Sequence, residues 1–263
     1  MISYVGALTI AGLQELGSMV SLARQTVSEI GERISRRRSP FRLEHFFYQC
    51  DRVGVGSVPM VILLSLFVGL TMALLTGYQL RIFGMVILVP AVVSVSFTRE
   101  MGPLFTGIVL AARIGAAYTA ELGAMTTGGE VKAIEGMGIG ARRYLVTPRF
   151  LAIFFLTPCL AVISILSGIA GAAFISSLLL QISYGFFFDE VMKNLLVKDV
   201  ISGIFKSFLF GGIIGIIACY KGLSVEGGAV GVGAATTSSV VTAISTVIVC
   251  DSFCNIVMIT FFP

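Results

Sequence analysis

Four charged side chains lie inside long apolar stretches of this sequence. Arg99 and Glu100 form an adjacent pair, and Lys206 and Asp251 lie in two later stretches. A charge at the centre of a lipid bilayer costs about 2.5–3.5 kcal/mol on insertion scales. If these stretches cross a membrane, we expect the four side chains to face the bundle interior or a wet cavity near its outer end. There they could bind the polar group of a ligand, or they could pair with one another and serve only structure.

A second group of candidate residues lies in the polar connection from Glu121 to Thr147. Between about Thr127 and Gly138 the apolar residues recur at helical spacing, with glycines on both sides. The candidate contact residues of this short helix are Glu130, Val131, Ile134, Glu135 and Met137. A helix of about two turns is not stable alone in water. It therefore requires a docking surface, which is either a partner protein or the chain's own bundle.

Several kinds of chemistry are excluded or disfavoured by what the sequence lacks. It contains no G-x-x-x-x-G-K-[ST] motif, so ATP hydrolysis would have to come from another chain. The single histidine, His45, and five scattered cysteines do not form a metal or hydrolase pattern. The glycines at 228, 231 and 233 follow no predicted strand, which argues against a dinucleotide loop. We expect no catalytic residue, no metal, no cofactor and no nucleic-acid partner.

Composition indicates the class of protein that must position these residues. The chain of 263 residues is 56% hydrophobic and only 12% charged, whereas a soluble domain is roughly one quarter charged. The apolar runs are long and unbroken, unlike the short alternating strands of a membrane barrel. The sequence therefore predicts an all-α polytopic membrane protein with about five spans.

The N-terminal part is predicted to lie on the membrane rather than to cross it. From about residue 10 to 38, apolar residues recur at helical spacing, and Arg36, Arg37 and Arg38 end the run. This pattern favours an interfacial amphipathic helix, although a soluble packing helix would have a similar pattern. Pro40 should end it, and a glycine-punctuated elbow should lead into the first span. We divide the chain into an interfacial and elbow region, 1–57, and a transmembrane domain, 58–263.

The spans themselves are predicted from apolar length and small-residue stripes. We place them at about 59–77, 103–120, 148–180, 201–220 and 238–262. The second follows a re-entrant or bent lead-in from Gly84, with breaks at Pro90 and Pro103. The link 181–200 is read as mixed and polar, and a tight turn at 221–237 is expected to end with Thr236 and Thr237 capping the fifth span.

Lysine and arginine are distributed unevenly among the connections. Seven arginines precede residue 53, and Lys132, Arg142, Arg143 and Arg149 follow the second span. The connection after the first span holds only Arg81. By the positive-inside rule, the N-terminus and the Glu121–Thr147 connection should be cytoplasmic. Arg113 and Glu121 would then steady the base of the second span on that side.

Three blocks of this sequence resemble one known family. EMGPLFTGIVLAARIGAAYTAELGAMTTGGEVKAIEGMGIGARRYLVTPR looks like the signature of the MlaE/YrbE-type permeases, the membrane subunits of ABC transporters that work with MCE-domain proteins. GGAVGVGAATTSSVV, followed by Asp251, resembles the C-terminal block of that family, and VGVGSVP resembles its entry to the first span. The resemblance covers the chain from about Phe41 to its end, in the order of the family.

The resemblance implies more than the residues alone can establish. It implies a homodimeric permease of the inner membrane, with a cytoplasmic coupling helix at about Thr127–Gly138 seated in a groove of a separate cytoplasmic ABC ATPase. It also implies a lipid substrate, phospholipid in the first place, moved between the inner membrane and the outer envelope with a periplasmic MCE-domain protein. Two positions depart from the family pattern, Val131 in place of Gln and Gly140-Ala141 in place of Asp-Pro. The first loses one polar contact to the ATPase, and the second costs only about a few tenths of a kcal/mol.

Two other functions remain open at this point. The chain could be a membrane scaffold or assembly protein that uses the central helix only for docking. It could also be a channel or an ATP-independent carrier for small molecules. The sequence leaves the lipid species and the direction of transport undetermined.

Overall fold

The computed structural model describes residues 14, 17–26, 28, 31, 43–138 and 140–261, which are almost entirely helical and contain no β-strand. Residues 17–26 form a helix, and the buried side chains of Met19 and Leu22 pack against the main core. Arg36, Arg37, Arg38 and Pro40 lie outside the described residues. An N-terminal helix is therefore present, while its interfacial position stays a prediction.

We number the α-helices from residue 43 onward. They are α1 (Leu43–Ile82), α2 (Val89–Ser96), α3 (Gly102–Leu110), α4 (Ala116–Thr127), α5 (Glu130–Gly136), α6 (Thr147–Leu179), α7 (Tyr184–Asn194), α8 (Val197–Leu223) and α9 (Gly228–Phe261). Five stretches are long and apolar enough to cross a membrane: Phe46–Ile82, Val86–Thr127, Tyr144–Leu179, Val197–Leu223 and Gly228–Met258. This confirms the predicted all-α polytopic architecture with five spans.

Because the spans run alternately up and down, the bundle has two ends. One end carries α5 and the N-terminal end of α1, and we call it the α5 side. The other carries α7, and we call it the α7 side.

The first span is longer than predicted, because the expected elbow is part of it. Residues 43–59 belong to α1, and Pro59 lies inside this helix. Prolines and glycines are tolerated in membrane helices because neighbouring helices can satisfy the freed backbone groups. Gly56 has a packing role, since a Cβ there would lie 2.6 Å from the Arg113 guanidinium. The division at 57/58 stays a prediction, although α1 passes through it.

The predicted lead-in and the second span form one continuous helical path from Val86 to Thr127. It contains α2, α3 and α4, joined by π-helical turns at Phe97–Met101 and Ala111–Gly115. Pro90 and Pro103 each lie in the first turn of an α-helical segment, where the missing N–H is tolerated. Such π-turns are frequent at functional sites, and these two carry Arg99, Glu100 and Arg113.

The glycine-rich turn before the fifth span is shorter than predicted. α9 already begins at Gly228, and the turn is made by Gly227 and Gly228, both at positive φ. Thr236 and Thr237 are therefore not caps. Their hydroxyls donate to the carbonyls of Val232 and Gly233 within the same helix, at 2.7 and 3.2 Å, as hydroxyl side chains inside helices often do.

The link between the third and fourth spans was predicted to be a mixed polar segment. In the structure it contains a helix, α7. α7 begins after Ser183, whose hydroxyl accepts a hydrogen bond from the Phe186 amide at 3.4 Å. Phe187 and Val191 are buried in one apolar cluster with Val89 of α2. This packing holds α7 against the start of the second span.

Close contacts between α1 and α6 confirm the predicted small-residue stripe of the first span. A Cβ on Gly69 would overlap the backbone of Gly168, and a Cβ on Gly171 would overlap the Leu66 carbonyl. The hydroxyls of Ser65 and Ser164 are 2.7 Å apart in the same interface. Small residues at a helix crossing permit such backbone approach, which is how helices associate in lipid.

Candidate functional site

Lys206 is the centre of a buried polar cluster toward the α7 side. Its side chain is 1% exposed, and Nζ donates to Glu100 Oε2 at 2.9 Å, Asp251 Oδ1 at 3.0 Å and Asn255 Oδ1 at 2.5 Å. Asn255 Nδ2 in turn donates to Glu100 Oε1 at 2.9 Å and Asp251 Oδ2 at 3.4 Å. Three spans therefore meet in one network, which compensates for the burial of its charges.

Arg99 does not bond directly to the Lys206 cluster. Its Nε donates to Asp199 Oδ1 at 2.5 Å, and Asp199 is almost fully buried. The other Asp199 oxygen accepts the backbone N–H of Leu196 at 3.0 Å and so fixes the beginning of α8. The rigid start of that helix thus sets the position of Arg99.

Both groups face one cavity toward the α7 side. It has a volume of about 510 Å³ and is lined by Arg99, Glu100, Lys198, Ile201, Ser202, Asn255 and Met258. Ligand cavities of this size are typically apolar with a few oriented polar groups. Arg99 pairs with Asp199 through Nε, and its side chain is 41% exposed, so the guanidinium is accessible from the cavity. A planar guanidinium can bind a phosphate with two parallel hydrogen bonds, so the cavity is suited to an anionic group attached to an apolar body.

The structure brings Glu100, Lys206 and Asp251 into direct contact, and Arg99 joins them at the cavity wall. Asn255 and Asp199 were missing from the predicted site. The signal for Asn255 was present, because it follows Asp251 by four residues and therefore lies on the same helix face. Asp199 gave no such signal, since it was read as part of a polar link.

The other candidate residues lie within the predicted range, four of them on α5 and Met137 at its C-cap. The helix follows Gly129, which has a φ of +78°, and it ends at Gly136. Val131 and Ile134 are half-buried and pack against the chain's own cluster of Leu122 and neighbouring residues. In contrast, three candidates are exposed on the α5 side: Glu130, Glu135 and Met137. α5 therefore has one face seated on its own bundle and one face open.

A second ionic cluster lies between α5 and the cavity. Glu121 forms ion pairs with Arg52 of α1 and with Arg149 of α6, the latter at 3.4 Å. Arg113 Nη1 donates to the Ser57 hydroxyl at 2.5 Å and to the Arg52 carbonyl at 3.4 Å. The expected steadying of the second span at its base thus takes the form of contacts with the first and third spans.

Comparison with known proteins is consistent across nearly the whole chain. The family described as Permease MlaE matches residues 46–257. A probable ABC transporter permease protein of Synechocystis sp. is 34% identical over 80% of this chain and 80% of its own length. A protein of the same description from Rickettsia felis is 34% identical over 90% of this chain and 89% of its own.

A plant relative carries a more informative name. The protein TRIGALACTOSYLDIACYLGLYCEROL 1, chloroplastic, of Arabidopsis thaliana is 33% identical over 77% of this chain and 58% of its own length. Together with five spans and the extent of the family match, these relatives establish the class of protein. This chain belongs to the MlaE family and is a multi-pass membrane permease subunit of an ABC transporter.

Proposed function

We propose that this permease moves phospholipid and that the cavity toward the α7 side holds the lipid head group. The observation that carries the proposal is the position of Arg99 at a cavity of about 510 Å³ that also has apolar walls. The guanidinium would bind the phosphate, while Ile201 and Met258 would contact the start of the acyl chains. The Arabidopsis relative, whose name is that of a glycolipid, supports a lipid substrate.

Lipid transport in reconstituted vesicles tests this assignment. The permease with its ATPase is placed in liposomes, and transfer of a fluorescent phospholipid to acceptor protein is measured. We expect Arg99→Gln, Glu100→Ala and Asp251→Ala each to lower the rate at least fivefold. Glu190→Gln is the matched control, since the recorded partners of its carboxylate, Lys193 and Asn194, lie on its own helix α7 and away from the cavity. Normal transport by assembled Arg99→Gln and Asp251→Ala would overturn the proposal.

We further propose that the open face of α5 docks into a cytoplasmic ABC ATPase. An ABC permease requires an ATPase partner, and this sequence has no nucleotide-binding motif of its own. Glu130→Lys and Met137→Asp change exposed side chains, so they should abolish co-purification of the ATPase without unfolding the bundle. Ile134→Asp is a poorer probe, because Ile134 also packs on the chain's own core.

Retained binding by Glu130→Lys and Met137→Asp would refute docking through α5. Stable isolation without any ATPase would instead favour a scaffold or an ATP-independent carrier. Glu190→Lys, at the opposite end of the bundle, is the control for a general effect of added charge.

The basic residues support an orientation in the inner membrane with the N-terminus and α5 in the cytoplasm. Arg52, Lys132 and Arg149 lie toward the α5 side, where the positive-inside rule expects them. A membrane-impermeant thiol reagent added to intact cells should label a cysteine at Met192 of α7 and not one at Lys132. Labelling of Lys132→Cys alone would reverse the orientation.

A homodimer through α9 is proposed on the basis of the exposed surface of that helix. Gly233, Thr237, Val241 and Ser245 are exposed and recur every four residues along it. All but Val241 are small residues, which allow helices to associate in lipid. Ser245→Cys should cross-link between two copies, whereas Phe174→Cys, exposed on α6, should not. The reverse pattern would place the interface elsewhere.

A periplasmic MCE-domain partner would need a surface on the α7 side. Four large apolar side chains in the connection between α1 and α2 are exposed there, Phe83, Met85, Ile87 and Leu88. Phe83→Asp with Ile87→Asp should weaken co-purification with an MCE-domain protein. Unchanged recovery of that protein would exclude this surface as its binding site.

A further inference from the structure

Glu121 is the point at which three spans are held together on the α5 side. It lies in α4 and pairs with Arg52 from α1 and with Arg149 from α6. About one third of the Glu121 and Arg52 side chains is exposed, and Arg149 is nearly buried. One carboxylate is therefore shared by two guanidinium groups that belong to different helices.

The same span holds α1 through a second contact that requires close packing. Arg113, two turns before Glu121, binds the Ser57 hydroxyl and the backbone carbonyl of Arg52. The guanidinium fits because residue 56 is glycine. α1 is thus fixed to the second span at both a side chain and a backbone position.

The position of this cluster along the chain connects it to α5. Glu121 precedes the end of α4 at Thr127 by six residues, which is about 9 Å along a helix. Arg149 lies in the first turn of α6, and its Nη1 also donates to the Leu145 carbonyl at 2.8 Å. In the chain, α4 precedes α5 and α6 follows it. The Glu121–Arg149 ion pair therefore joins the two helices that flank α5.

The cluster is not a fully satisfied structural network. The Tyr118 hydroxyl and Arg149 Nε are buried and have no hydrogen-bond partner among the described residues, although the Arg149 guanidinium lies 5.8 Å from the centre of the Tyr118 ring. An unpartnered buried polar group is costly, and those that persist require an explanation. A site that must accommodate a change of conformation during the transport cycle supplies one.

We propose that Glu121 is a positioning residue that makes α1, α4 and α6 move as one unit when α5 is displaced. The two ion pairs transmit the displacement from the second and third spans to the first. Without the carboxylate, the three guanidinium groups would repel one another, and α1 would no longer follow. The inference rests on the proposed docking of an ATPase at α5.

The test is the ratio of ATP hydrolysed to phospholipid moved, measured in vesicles with the complete transporter. For Glu121→Gln we expect ATP hydrolysis within twofold of the wild type and lipid transfer lowered at least fivefold, so the ratio rises at least fivefold. Glu121→Asp keeps the charge and should restore most of the coupling. Glu190→Gln, on α7, should leave the ratio unchanged.

Other outcomes separate this inference from the proposed function. An unchanged ratio in Glu121→Gln, or equal losses of both activities together with a lower melting temperature, would overturn the role of Glu121. If Glu121→Gln does not assemble, Arg52→Gln removes one pair and leaves Glu121 with Arg149; a raised ratio there supports the proposal and an unchanged one overturns it. Absence of ATP-driven lipid transfer by the wild type would instead refute the proposed function.

Discussion

Replacement of Lys206 by methionine should destabilise the bundle strongly. Methionine is of similar length and removes only the ammonium group, which donates to Glu100, Asp251 and Asn255. The carboxylate of Asp251 is then left buried without its cation, since this residue is only 4% exposed. Removing one partner of a buried ion pair costs about 3–5 kcal/mol.

This free energy converts to a measurable shift in unfolding temperature. A loss of 1 kcal/mol lowers the melting temperature of a domain of this size by about 2–4 °C, so Lys206→Met should melt roughly 6–20 °C below the wild type. The chain has no tryptophan, so unfolding in detergent is best followed by helical circular dichroism on heating.

A second substitution distinguishes lost charge balance from lost packing. The double variant Lys206→Met with Asp251→Asn removes the buried carboxylate together with its cation. The remaining carboxylate, that of Glu100, is 27% exposed. We expect the double variant to regain most of the lost stability. If Lys206→Met alone melts with the wild type, or if the double variant is the less stable of the two, the buried charge pair is not what stabilises these spans.

Two further substitutions test the packing that positions the site. Gly69→Ala should cost about 1–3 kcal/mol because its Cβ meets the Gly168 backbone, while Gly185→Ala in α7, with no atom within 4 Å, should be neutral or stabilising; equal melting temperatures would show that α1 and α6 can separate at no cost. Phe187→Ala should cost about 3–5 kcal/mol because Phe187 is 1% exposed, and Phe188→Ala, which is 43% exposed, should have much less effect; similar losses for both would contradict the packing of α7 on α2.

The existence and number of the spans could be predicted because lipid restricts what a chain can do. A span must be helical, long and apolar, and each of these properties is visible in the sequence. The small-residue stripe at Gly69 was also visible, since close helix approach needs the same spacing in every membrane bundle. Hydrophobic length and small residues thus report on the fold directly.

Span ends were less predictable because glycine and proline have different effects in lipid and in water. The segment before Pro59 was interpreted as an elbow and the glycines after Gly228 as part of a turn, yet both segments are helical. In water these residues favour turns, whereas within a membrane protein the alternative is an unpaired backbone. α7 was missed for another reason, since its buried face contains only Phe187 and Val191.

The pairing of charges could be predicted only in outline, because it depends on which helices become neighbours. Arg99 was expected beside Lys206, and it pairs instead with Asp199 at the start of the same helix as Lys206. Along the sequence the two acids, Asp199 and Asp251, were equally available as partners. Packing of the second span against α8 decides between them.

The distribution of these charges also bears on how the bundle assembles. Each of α8 and α9 carries one charge deep in its apolar stretch, and inserted alone each would incur a cost of about 2.5–3.5 kcal/mol. The short turn at Gly227 brings Lys206 and Asp251 to 3.0 Å in a helical hairpin, so the two costs largely offset each other if the hairpin inserts as a unit. Glu100 adds its bond to Lys206 only when the second span packs against that hairpin. The residues that would bind substrate are therefore also those that make the second span, α8 and α9 depend on one another for stable insertion.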